Sequence, residues 1–149
     1  MVIHGHVLWY DGHMNVLGID YGTKYIGLAV GNTADKMAFP KGEIPTKGAL
    51  VAIKELVQSE GIDMIVIGMP NGTSFGENII AETIGTLKTV LAGATGKEVV
   101  VINEQSSSQI ARHATEGKQA HHSRKRHEVP ERVNASAAAI ILQRYLDTQ

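Results

Sequence analysis

Cysteine is absent from the 149 residues, which excludes disulfides, thiolate metal centres and a cysteine nucleophile. An excess of charge is missing too: 14 Lys and Arg stand against 15 Asp and Glu, for a formal net charge of −1. The molecule as a whole is therefore no electrostatic sponge for nucleic acid, and such a partner has to be met by a local basic patch. No apolar run is long enough to span a membrane. Met1 to His13 lacks the basic-then-apolar order of a signal peptide. A cytoplasmic protein without a membrane partner is expected. There is no internal repeat and no domain linker.

What is present is ordinary for an ordered globular chain: 43% apolar and 19% charged residues, enough for one domain with a real core. Residues 1–13 carry three histidines and the only Trp. They read either as an N-terminal extension or as a small metal-binding tract, and residues 14–149 read as the domain proper.

The chain is organised around Val16 to Val30. Two short apolar runs flank Tyr21-Gly-Thr-Lys24, the pattern of a β-hairpin. Asp20 ends the first run, at the rim of a sheet where a carboxylate meets solvent and cations. Gly22 allows a positive φ or a close approach to a ligand. Met37 to Ile44, broken by Pro40, predicts a third, edge strand. Thr46 to Glu60 predicts a helix with Leu50, Ile53, Leu56 and Val57 on one stripe, closed by Gly61. Met64 to Ile67 predicts a strand covered on both faces. Glu77 to Leu91 predicts a helix ended by Gly93 and Gly96, with Ile80, Ile84, Leu87 and Leu91 inward. Glu98 to Ile102 predicts a strand. A helix capped by Ser106, Ser107 or Ser108 runs to about Glu116, and Pro130 opens a last helix to Leu146, with Val133, Ala137, Ile140, Ile141 and Tyr145 inward. The fold class is α/β: a mixed sheet of about five strands, three antiparallel first and then βα units, with helices on both faces.

In open sheets, ligands collect beyond the carboxyl ends of the parallel strands. Asp20 and Glu104 both fall at such ends. Two carboxylates with oxygen-rich neighbours suit Mg²⁺ or Mn²⁺, and such an ion can activate water at a phosphodiester. Each acid also has a plainer reading: Asp20 as a turn residue, Glu104 as an exposed acid near a helix N-terminus. Arg124, Lys125 and Arg126, flanked by His121, His122 and His127, form the strongest basic run. It is either a phosphate-binding loop or a solvated one.

Four stretches together resemble the YqgF/RuvX family of RNase H-like proteins, described as Holliday-junction-resolvase-like or as nucleases maturing precursor 16S ribosomal RNA. They are Leu17 to Val30, Ile65 to Gly76, Val101 to Ser107 and Val133 to Leu146. The resemblance implies an RNase H-like fold. It also implies a metal-dependent endonuclease acting on precursor rRNA or branched DNA, as a monomer or homodimer. Carried over to this sequence, it makes Asp20, Glu104 and Asn134 the catalytic and metal-binding positions, with Lys24, Arg124, Lys125 and Arg126 holding nucleic acid. Three positions depart from the family pattern: Asn103 stands for an Asp, Gln105 for an Arg, and Asn134 for the terminal-helix Asp. An amide oxygen ligates a hard cation without supplying charge, so the departures imply a weakened nuclease or a non-catalytic RNA- or protein-binding member. The Asp-Tyr-Gly-Thr segment also resembles the phosphate loop of actin-like sugar kinases. Those enclose nucleotide between two lobes, and a single domain supplies one.

Overall fold

The computed structural model describes residues 2–3, 6–7, 12–69, 75–103 and 132–149. The helix expected after Ser106–Ser108 and the basic stretch lie outside them. Two-residue strands β1 (Val2–Ile3) and β2 (His6–Val7) pair antiparallel, within the segment read as an extension. Then follow β3 (Asn15–Asp20), β4 (Tyr25–Asn32), β5 (Ala38–Pro45), α1 (Ala49–Ser59), β6 (Met64–Met69), α2 (Phe75–Thr95), β7 (Glu98–Asn103) and α3 (Arg132–Asp147).

The five-stranded sheet has the order β5-β4-β3-β6-β7. β3, β4 and β5 run antiparallel, while β6 and β7 lie parallel to β3. This is the expected mixed sheet. Alternation of side chains divides it into two covered faces. On one, Leu17, Ile19, Ile26, Leu28, Ile65 and Ile67 are buried with Ile53 and Val57 of α1 and Ile84 and Leu91 of α2. On the other, Val16, Ala29, Met64 and Val66 are buried under Ala138, Ile141, Leu142 and Leu146 of α3. Among the described residues no helix is long and apolar enough to cross a membrane.

Helix boundaries and one helix's inward face differ from expectation for local reasons. α1 begins at Ala49 because Thr46 is used elsewhere: its N–H donates to the Lys24 carbonyl and its hydroxyl to the Gly22 carbonyl. Gly48, at φ 80°, then turns the chain into the helix. The buried stripe becomes Ala49, Ile53 and Val57, and Leu50 is left exposed. α2 continues through Gly93 to Thr95, stopping at Gly96 with φ 69°. A glycine inside a helix costs about 1 kcal/mol relative to alanine; the added turn offsets it with the Thr95 hydroxyl donating to the Leu91 carbonyl and the Gly96 N–H to the Ala92 carbonyl, each contributing about 1 kcal/mol. On α3, Ile140 and Tyr145 are only partly buried, and Leu142 and Leu146 take the deepest positions.

α3 is tied to the start of β5 by Gln143. Its Oε1 accepts from the Ala38 N–H at 3.1 Å, and its Nε2 donates to the Lys36 carbonyl at 2.7 Å. The helix also lies close to the sheet. Small residues on both sides, Gly18 below and Ala138 above, permit that approach.

Candidate active site at the strand ends

One register row crosses the sheet at its carboxyl rim. Glu43 of β5 pairs with Gly27, Gly27 with Asp20, Asp20 with Gly68, and Gly68 with Ile102. Asp20, half-buried, follows Val16 and Gly18 on the α3 face. Its neighbours on both adjoining strands are glycines, so no side chain from β4 or β6 stands beside its carboxylate in that row.

The path of α3 leads to this rim. Leu146 lies against Gly31, which pairs with Val16, and Leu142 and Ala138 lie against Gly18. The helix therefore runs opposite to β3, rising about 1.5 Å per residue against about 3.3 Å in the strand. Continued on that line, its first turn reaches the end of β3. Asn134 is placed by its backbone in that turn.

The hairpin turn after Asp20 is held tightly. A Cβ on Gly22 would meet the Tyr25 carbonyl oxygen at 2.3 Å. Gly22 is thus required by the backbone of its own turn, without the positive φ expected for it. The Thr46 hydroxyl, 2.6 Å from the Gly22 carbonyl, braces the same turn from the loop before α1. Lys24 is exposed on it, at the Asp20 end of the sheet. Of the sequence-predicted positions, Asp20 and Lys24 are thus described at one rim with the first turn of α3. Glu104, Arg124, Lys125 and Arg126 lie outside the described residues. Among the described residues no three His, Asp or Glu side chains stand close enough to hold a metal by themselves.

Glu43 was not singled out from the sequence. Its orientation depends on a β-bulge: Pro40 pairs with Ala29 and Gly42 with Leu28, leaving Lys41 as an extra residue. Alternation therefore shifts within β5. Phe39 pairs with Val30 on the α1 and α2 face, and Glu43, an even number of residues later, falls on the α3 face with Gly27 and Asp20. Bulges of this kind re-aim side chains near functional sites. The signal available was Gly42, a glycine inside a strand, with φ 135° in the structure. The extra residue turns outward, its ammonium 2.6 Å from Glu60 of the segment after α1.

Known proteins share this geometry. A family model described as RuvX, Holliday junction resolvase, matches residues 14–148. A protein of Chlorobaculum tepidum, provisionally named a pre-16S rRNA nuclease, is 30% identical over 141 residues, covering 93% of this chain and 96% of its own. The RuvC structure from Thermus thermophilus in complex with a Holliday junction substrate superposes with a TM-score of 0.57 at 17% identity, covering 91% of this chain and 95% of that one. The fowlpox virus resolvase, solved with Holliday junction DNA, gives 0.52 at 11% identity, covering 91% and 98%. At such identities the two structures speak for a shared RNase H-like fold.

Proposed function

The chain belongs to the RuvX family, and from that membership we propose that it is a metal-dependent endonuclease. It hydrolyses phosphodiester bonds of structured nucleic acid in the cytoplasm, with precursor 16S ribosomal RNA as the substrate class. The relatives' names support the substrate. The observation that carries the site is Asp20 at the end of the central strand, flanked by Gly27 and Gly68, with the first turn of α3 directed to the same rim.

The donor chemistry fits Mg²⁺ or Mn²⁺. Asp20 offers a hard carboxylate oxygen, and the chain holds no thiolate. Asp20, Glu104 and Asn134 would hold the ion. Bound there, it would supply Lewis acidity toward the phosphate and a more acidic water. Gly68, bare of a side chain, receives Ile141 of α3 beside the Asp20 row. Lys24, on the braced turn beyond Asp20, offers an ammonium to a phosphate oxygen. Arg124, Lys125 and Arg126 extend that grip along the backbone. β7 alternates Val100 and Ile102 onto the α3 face.

Asn103, Gln105 and Asn134 favour a second reading, a family member that binds RNA and no longer cuts it. One assay separates the two. A precursor 16S fragment is incubated with Mn²⁺ and either the natural chain or Asp20→Asn. Cleavage by the natural chain that disappears in the variant supports the nuclease. Equal rates move the chemistry away from Asp20, and binding without cleavage establishes the second reading.

A further inference from the structure

Beside the Asp20 row, between the edge strand and the first turns of α3, lies a cavity of about 480 Å³. Tyr25, Gly42, Glu43, Ala135 and Ser136 line it, together with Pro40 and Lys41. Tyr25 pairs with Pro45 and Gly27 with Glu43. Tyr25 and Glu43 are therefore diagonal neighbours on one face, a spacing at which long side chains address the same space. Tyr25 is 50% exposed. The Lys41 ammonium is engaged by Glu60, so among the described lining residues Glu43 sets the charge of the cavity.

A carboxylate repels phosphate and accepts hydrogen bonds from N–H groups. An exposed aromatic ring stacks on any flat π-face. A cavity with both, floored by Gly42 and Ala135, suits a neutral flat group that donates. We propose that it is a nucleobase subsite, occupied by an unpaired guanine of the RNA strand that crosses Asp20. The proposal rests on the nuclease reading above and deepens it. Guanine is selected by its edge: N1–H and the N2 amino group stand side by side and meet both carboxylate oxygens. Adenine and cytosine place an acceptor nitrogen next to their single amino group, facing the carboxylate with like polarity. Uracil sets one N–H between two carbonyls. Single-stranded RNA is read in this way, by stacking a splayed base and bonding its edge. Two strand spacings put the Glu43 Cα about 10 Å from that of Asp20. A base held by Glu43 thus leaves its own backbone at the catalytic rim.

The test uses the full chain in EDTA, where binding is read without hydrolysis. Fluorescein-labelled hexauridylates carry one central guanosine, inosine, adenosine or cytidine, and anisotropy gives Kd. Inosine differs from guanosine only by the missing N2 amino group. The guanosine oligomer should bind about tenfold tighter than the inosine one, as for one hydrogen bond to a charged acceptor. Glu43→Gln should bring that ratio near one, while the loss of its charge shifts the affinity of all oligomers, hexauridylate included, in the same direction. Tyr25→Ala should weaken all oligomers alike, by about tenfold, and Tyr25→Phe should restore them. Equal binding of guanosine and inosine to the natural chain overturns the subsite. So does a guanosine preference that survives Glu43→Gln. Because no cleavage is needed, the two readings fail separately: Mn²⁺-dependent cutting without base preference removes the subsite alone, and base preference without cutting removes the nuclease alone.

Discussion

A methyl group on Gly18 would stand 2.8 Å from the Cβ of Leu142 and 3.1 Å from the Ala138 carbonyl oxygen. Both atoms belong to helix positions that cannot swing away, so α3 would have to lift from β3. Gly18→Ala should destabilise the fold by about 1–3 kcal/mol, read from urea midpoints. At Gly68 the added carbon meets the Cδ1 of Ile141, an atom that valine lacks, and its Cγ1 at 2.8 Å, which valine keeps, so valine relieves the nearer of the two contacts. Gly68→Ala and Ile141→Val should therefore couple favourably, by about 0.5–3 kcal/mol in a double-mutant cycle. Strictly additive effects would show that the helix rides higher than described.

Asn134→Asp should raise Mn²⁺-dependent cleavage. It adds charge at the α3 turn directed to the Asp20 rim, strengthening cation binding and balancing charge on the reacting phosphate. Without metal the added acid should lower thermal stability, since like charges then crowd one rim. The two measurements move in opposite directions. An Asn134→Asp protein with unchanged cutting and unchanged Mn²⁺ affinity is a binding module.

Replacing Arg124, Lys125 and Arg126 by alanine should weaken RNA binding without a change in base preference. For every phosphate no longer neutralised, the slope of log K against log salt should fall by roughly 0.7. A salt slope that stays where it was assigns the run to solvent.

Tyr145 of α3 donates its hydroxyl to the Met64 sulfur at 3.1 Å. Burial, and then the charge of Glu98, push its phenol above the ordinary value of 10.0. The folded state thus favours the neutral phenol, and the unfolded chain loses that proton first as pH rises. The stability this contributes is complete below the ordinary value and is lost as pH climbs through the raised one. Natural and Tyr145→Phe proteins should differ by a constant amount below about pH 9. Above it the natural protein should lose stability faster. Parallel curves throughout would mean the phenol titrates alike in both states.

Much of the architecture was legible because it rests on periodicity. Val16 to Val30, Met64 to Ile67 and Glu98 to Ile102 are short, β-branched and bounded by turn residues, and each became part of the central sheet. Asp20 was legible for the same reason, as the last polar residue of an apolar run. What escaped depends on tertiary partners. Thr46 reads as a helix start until the Gly22 carbonyl claims its hydroxyl. Gly93 reads as a stop until Thr95 and Gly96 are seen donating back to the Leu91 and Ala92 carbonyls. Glu43 was invisible because its facing is decided by where Lys41 is counted out of the pairing.

That extra residue gives β5 two halves that are out of phase, like a text with one letter inserted between two frames. Ala38 and Phe39 are read in one frame, Glu43 and Ile44 in the next. Removing Lys41 alone would therefore leave every facing as it is, since Pro40 opposite Ala29, Gly42 opposite Leu28 and Glu43 opposite Gly27 already alternate without it. A residue added where no bulge absorbs it would instead turn Glu43 and Ile44 over. A family member one residue shorter here would keep the acid at Glu43 and the apolar side chain at Ile44 on their faces, in an edge strand without the kink.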